Sequence, residues 1–207
     1  MTNEEAVERF AAHWRDQVTP TWTPVTPYDQ ASRRKAEGRH PEVIRDTFAP
    51  TSVLDVGCGP DGHLVTFLRE IGVDARGWDI VTTNADYCVG DRDLTSPYLV
   101  QRHERDANEL VICREVLEHL PVRHMPTAIR NLVALTSRYV YVTTRFAVNP
   151  DHFLSLQTEF DVDPTHITCL TKPFLALLFT LEGCRRRPDL EVQVDWLQKG
   201  RCLVFER

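Results

Sequence analysis

The sequence has no apolar run long enough to cross a bilayer, and its N-terminus, MTNEEAVERFAAHW, is acidic and amphipathic where a secretory leader is basic and then apolar. Neither a membrane-spanning helix nor export is therefore indicated, and a cytoplasmic location is expected. Basic charge is short as well. Twenty-four Lys and Arg against 30 Asp and Glu leave a net charge of −6, which offers nucleic acid no bulk attraction. The one dense basic run, Arg185-Arg186-Arg187, reads as three cations near a helix end, where the dipole favours them. The six cysteines (58, 88, 113, 169, 184 and 202) include no CxxC pair, so neither a zinc site nor a disulfide framework is indicated. No internal repeat or low-complexity segment is visible. What remains, 42% hydrophobic and 26% charged in 207 residues, is the composition of an ordinary globular domain that buries a core without staples.

The chain is organised around residues 53–64, VLDVGCGPDGHL. A short apolar run (Val53, Leu54, Val56) ends in Gly57-Cys58-Gly59-Pro60-Asp61-Gly62, and an apolar pattern of helical spacing (Leu64, Val65, Leu68, Ile71) follows, which predicts strand, glycine turn and a helix beginning near Asp61. Such a turn lets the main chain approach a ligand closely. A lone GxGxxG reads as a dinucleotide fingerprint, but Asp55 puts a carboxylate at the strand end, where a pyrophosphate is repelled and a cation welcome. Asp79 closes the next predicted strand (73–79), about 20 residues on, at the spacing where an acid meets ribose hydroxyls. A ligand with a ribose and a positive charge fits both, and S-adenosylmethionine is such a ligand.

Residues 53–62, the acid at Asp79, and ICREVLEHLP at 112–121 resemble motifs I, II and IV of the class I S-adenosylmethionine-dependent methyltransferases. The resemblance covers roughly residues 50–207 and implies an α/β three-layer sandwich around a seven-stranded, mostly parallel sheet of order 3-2-1-4-5-7-6. Apart from it, the chain reads as short helices at 3–17 and 29–48 around a Thr/Pro loop, strands at 85–90, 109–114 and 139–144, and a helix at 173–182 ending at Gly183. Two further β-type runs, 190–196 and 202–205, are separated by a hairpin-like turn. Residues 1–48 would form an N-terminal helical cap or lid, 49–207 the cofactor-binding domain, and 146–170 an insertion facing the acceptor, since loops of that length are usually functional.

The resemblance also implies roles. Asp55, Gly57, Cys58, Gly59 and Gly62 would hold the amino-acid half of the cofactor, Asp79 and Ile80 its ribose, Asp91 or Asp93 its adenine, and Cys113 and Arg114 would pass beside its methionine moiety. Tyr28 would reach the same end from the cap, or else pack at a helix start. Glu115, Glu118 and His119 would lie on one face of a helix. That E-x-x-E-H pattern resembles the divalent-metal site of small-RNA 2′-O-methyltransferases and quinone-biosynthesis O-methyltransferases, with His152 or His166 as a further ligand; many metal-free relatives carry the same residues as helix caps. Glu115, His119 and His166 are the candidate proton-handling groups. The absence of D/N-P-P-Y/F after strand four disfavours methylation of the exocyclic amines of adenine or cytosine, and the absence of a Pro-Cys pair leaves no nucleophile for cytosine C5. The expected activity is methyl transfer to O or N of a small molecule by a monomer or homodimer. An RNA or protein methyltransferase with a metal, and a non-catalytic cofactor-binding subunit, are the alternatives.

Overall fold

The computed structural model describes residues 37–147, 154–155, 166–195 and 197–207. Period-2 alternation sorts the side chains of the central strands into two apolar layers. In β1 (Val53–Val56), β4 (Asn108–Arg114), β5 (Thr136–Thr143) and β9 (Cys202–Glu206), one set comprises Leu54, Val56, Val111, Val140, Val142, Leu203 and Phe205. It packs under α3 (Met125–Leu135) and α4 (Lys172–Leu181). The opposite set, with Val53, Leu110, Ile112, Tyr139, Tyr141 and Val204, meets α1 (His40–Phe48), α2 (His63–Glu70) and α5 (Pro188–Val194). Burial on both faces explains why Leu110 to Cys113 is continuously apolar.

With β2 (Ala75–Trp78), β3 (Cys88–Val89) and β8 (Arg185–Arg186), the strands form one sheet of order β3-β2-β1-β4-β5-β9-β8. The first five pair in parallel and β9 runs antiparallel to both β5 and β8. This is the expected order. A separate two-stranded ribbon joins β6 (Leu154–Ser155) to β7 (Cys169–Leu170). Of the expected N-terminal cap (1–48) only residues 37–48, which include α1, are described, and most of the 146–170 insertion lies outside the described residues.

The structure corrects the sequence expectation at the C-terminal end. Residues 190–196 were expected to be a strand; instead Pro188–Val194 is a helix, and the sixth strand of the sheet is Arg185–Arg186. The V-x-V alternation misleads because Leu190, Glu191 and Val194 are also one helical face, and all three are buried. Pro188 at the first turn presets the helical φ. The basic run likewise gains nothing from a helix dipole, since Arg185 and Arg186 form a strand and Arg187 sits at the N-terminal end of α5. Arg185 pairs with Glu206, Arg186 makes two 2.7 Å hydrogen bonds to the buried Glu191, and Arg187 pairs with Asp189 and Glu206. Those partners leave little cationic character for a polyanion.

Among the described residues no helix is long and apolar enough to cross a membrane. In the layer under α4, the fully buried rings of Phe179 and Phe205 stack at 4.1 Å between centroids and 13° between planes. Phe179→Ala removes that stack and leaves a cavity, and is expected to cost about 3–5 kcal/mol in urea denaturation; a loss below about 1 kcal/mol would mean that the layer collapses onto the vacated space.

Candidate active site

The glycine turn leaves β1 at Gly57, whose φ of +77° is open chiefly to glycine. Space is lacking too, because a Cβ there would sit 2.2 Å from Val116 Cγ2. The loop is tied to the end of β2, with the Gly57 and Cys58 N–H groups both donating to the Trp78 carbonyl, at 2.7 and 3.2 Å. Gly59 differs. Its φ is +75°, yet among the described residues nothing lies within 4 Å of the Cβ it lacks, so on that side the main chain leaves room for a ligand to approach. Gly62 occupies the left-handed region and α2 starts after it, at His63, two residues later than expected.

Asp79 reaches back to this loop. Its Oδ2 accepts from the Gly59 N–H at 2.8 Å and its Oδ1 from the Val81 N–H at 3.2 Å, while the neighbouring Ile80 is half exposed on the lip. Beyond β3, Asp93 closes a local turn by accepting from the Thr95 N–H at 2.8 Å and the Thr95 hydroxyl at 2.7 Å. Asp91, with φ +57°, is exposed, and its N–H donates to the Ile80 carbonyl at 3.0 Å. That bond brings Asp91 against the Asp79 segment. An open depression of about 620 Å³ on the flank of the glycine loop, lined by Asp61, His63, Thr66 and residues 83–86, contains none of the nominated residues.

Asp55 lies on the α1 side of the sheet and is 3% exposed. Burial pushes its carboxyl up to about 7, against the pull of Arg114 and with a further push from Glu37 and Asp79. Arg114, at the end of β4, is held by Glu37, its Nη1 donating to Oε2 at 2.9 Å and its Nη2 to Oε1 at 3.3 Å. The Cys113 side chain points the other way, into the apolar layer under α3, so only its main chain lines the strand end. Cys58 is half-buried, with its thiol donating to the Gly59 carbonyl at 3.4 Å. Tyr28 and His152 lie outside the described residues.

The helix expected near Glu115 does not form. Glu115 still belongs to the sheet, its N–H donating to the Thr143 carbonyl at 2.8 Å, and its φ of +52° turns the chain sharply. Only a single 3-10 turn, Leu117–His119, fits before Pro121. Glu115 lies 3.7 Å from Arg145 and close enough to Glu118 to act on its carboxyl, while Glu118, His119 and His166 bring one ligand-type atom each within 4.8 Å of the others. The two imidazoles meet edge-on at 4.8 Å between centroids.

Glu118 organises this cluster. Its carbonyl accepts from the Ile167 and Thr168 N–H groups at 2.9 and 3.0 Å, which places His166 over the turn. Its side chain is fully buried, with Oε2 accepting from the Thr144 hydroxyl at 2.8 Å and no donor reaching Oε1 among the described residues. Burial first, and the charge of Glu115 second, push this carboxyl up to about 8, so it is largely protonated at neutral pH. Sequence reading missed Glu37, His40 and Thr144. Only Thr144 carried a local signal, as a polar residue closing an apolar strand; Glu37 and His40 matter through partners far along the chain.

Comparison with known proteins agrees with this architecture. Residues 26–185 match the model of the family described as methyltransferase domain. No protein of curated function matches the chain in sequence. Among solved structures, the chain is similar to an S-adenosylmethionine-dependent methyltransferase from Archaeoglobus fulgidus (16% identity, TM-score 0.63, covering 85% of this chain and 95% of that one). It is also similar to the 1,6-didemethyltoxoflavin N1-methyltransferase of Burkholderia thailandensis, solved with its substrate and S-adenosylhomocysteine (14%, 0.58, 99% and 88%). A third is the magnesium protoporphyrin IX methyltransferase of Synechocystis PCC 6803 with bound S-adenosylmethionine (16%, 0.55, 100% and 98%). With a family model spanning most of its length and the glycine turn, two acids and strand order in place, the chain belongs to the class I S-adenosylmethionine-dependent methyltransferases.

Proposed function

We propose that the protein transfers the methyl group of S-adenosylmethionine to an O or N atom of a small-molecule acceptor. The observation that carries this reading is the pair of acids flanking an open glycine turn: a buried Asp55 with its carboxyl raised, and Asp79 hydrogen-bonded to Gly59. A buried carboxyl beside a cleft invites a cationic ligand, because the ligand's charge offsets the cost of ionising it. The side of Gly59 on which a Cβ would meet nothing is the matching cradle. When bound, the cofactor supplies an electrophilic methyl on a sulfonium, a good leaving group. The residues therefore contribute chiefly alignment, with Asp79 orienting the ribose hydroxyls and Asp91 the adenine edge. His119 and His166, at the exit of β4 where an acceptor would enter, are the groups to take a proton from a hydroxyl or amine. The similar enzymes named for N1 of 1,6-didemethyltoxoflavin and for magnesium protoporphyrin IX support an acceptor of this size class.

A second reading, an RNA or protein methyltransferase with a divalent metal, is favoured by one observation. Glu118, His119 and His166 converge, and among the described residues no donor reaches the buried Glu118 Oε1, whose neighbour is the Glu115 carboxyl, an oxygen-rich surrounding that suits a cation. Glu118, with the imidazoles, would hold the ion, which would polarise an acceptor oxygen. The net charge of −6 argues against an RNA acceptor.

Screening pools of hydroxylated and amino-bearing small molecules with methyl-labelled cofactor tests the main reading; label in none of them, with transfer to RNA or protein instead, overturns it. Asp79→Ala is expected to weaken cofactor binding by about 1–3 kcal/mol in titration calorimetry, and unchanged affinity would remove Asp79 from the ribose. Cofactor affinity should rise with pH through about 7, because Asp55 is neutral below that point and ionised above it. Asp55→Asn should flatten that profile. For the metal, saturable Mn²⁺ binding followed by water-proton relaxation should be present in the wild type and lost in Glu118→Ala; no binding at millimolar Mn²⁺ discards the second reading.

A further inference from the structure

Arg114 is a cation in a place that has to receive a cation. Asp55 is paired in register with Ile112 on the neighbouring strand, and Arg114 follows two residues later on the same face of the sheet. Two carboxylates compete for its guanidinium. Asp55, on the next strand, acts on it electrostatically, and Glu37, just before α1, hydrogen-bonds it through both carboxylate oxygens. Glu37 is in turn braced from behind. His40 Nδ1 lies 3.4 Å from its Oε2, and His40 Nε2 lies 2.9 Å from the Tyr141 hydroxyl, which reaches Cys202 Sγ at 3.8 Å. Burial alone would raise the Glu37 carboxyl, but the His40 hydrogen bond and the Arg114 charge outweigh it and bring it down to about 2, so it stays ionised.

Charge arithmetic shows what this arrangement does. An Arg114–Asp55 pair alone would be neutral, with the Asp55 lone pairs spent on the guanidinium. With Glu37 present, Arg114 is already matched, and an ionised Asp55 leaves the cluster one negative charge in excess. We propose that Glu37 is a positioning residue of the cofactor site: by taking the Nη1/Nη2 edge of Arg114 with both carboxylate oxygens and matching its charge, it keeps the Asp55 carboxylate for the cationic end of the cofactor. The inference rests on the reading of Asp55 given above. The charged groups that act on Asp55 are Arg114 from β4, Glu37 from the α1 side and Asp79 from the end of β2, while the thiols of Cys58, Cys88 and Cys113 lie near enough for its charge to push them up.

Glu37→Gln, Arg114→Gln and the double variant test the assignment with two readouts. The first is the Asp55 carboxyl ¹³C shift in ligand-free protein as a function of pH. Its midpoint, expected at about 7 in the wild type, should fall by about one pH unit or more in Glu37→Gln, because the repelling Glu37 charge is gone and a newly freed Arg114 turns to Asp55, and rise in Arg114→Gln. The second readout is affinity for S-adenosylhomocysteine, which keeps the ammonium group without the sulfonium. Near pH 8 it should drop about tenfold or more in Glu37→Gln and recover in the double variant, which has no guanidinium left to compete. An unmoved midpoint in Glu37→Gln, or a double variant that binds no better than Glu37→Gln, overturns the proposal. If Glu37→Gln does not fold, Glu37→Asp, which keeps the charge but shortens the reach to Arg114, replaces it: the midpoint should again fall, and an unmoved midpoint there overturns the proposal. Midpoints that move as stated while no variant and no wild type binds S-adenosylhomocysteine uphold the charge arrangement and sink the cofactor reading instead.

Discussion

No atom fits between the main chain at Gly57 and the side chain of Val116, and much of the site follows from that contact. It presses the turn after β1 against the segment after β4, so the cofactor-facing loop and the turn carrying Glu118 and His119 are held in one relative position. A side chain at residue 57 would need both a strained φ and about an ångström of separation. The parallel pairing of β1 with both β2 and β4 brings the three strand ends to one edge, and the carbonyl of Trp78 takes the first two N–H groups of the turn. Ligand-binding residues therefore stand on rigid strand ends even though the turn itself is irregular.

Against that frame the electrostatics of the edge form two separate regions. On the α1 side, Asp55, Arg114 and Glu37 share one desolvated cluster in which the carboxyl of Glu37 is held low and that of Asp55 high. On the other side of β4, Glu118 is buried with its carboxyl raised and is tied to Thr144 and to the backbone at Ile167 and Thr168. The alternation of β4 separates the two, with Arg114 facing one layer and Cys113 the other. Carboxyls raised by burial mark the places where a ligand's charge or a proton is most easily exchanged. One region thus suits a cationic cofactor, and the other suits proton or metal chemistry at the acceptor.

The parts of the fold legible in the residues were those governed by short-range rules. The strand–glycine–helix order at 53–64 and the acid about 20 residues on are local spacings, and Asp79 indeed meets Gly59. The C-terminal strand was misread because Leu190, Glu191 and Val194 satisfy both an alternating and a helical pattern, and burial by α1 and β9 selects the helix. The E-x-x-E-H motif was legible as a set of residue types but not as a shape, since the turn at Glu115 and the stop at Pro121 together leave room for a single 3-10 turn.

By itself the sequence determined the class of fold, the glycine turn, the two acids beside it and the membership that these imply, because each depends on neighbours within a few residues or on one β-α-β step. Only the tertiary structure decided that Arg114 answers to Glu37, 77 residues away, and that His166 rather than Glu115 joins Glu118 and His119. Those pairings arise where the sheet and helices bring distant segments into a dry edge, where an ionised group must find a partner whatever its distance along the chain.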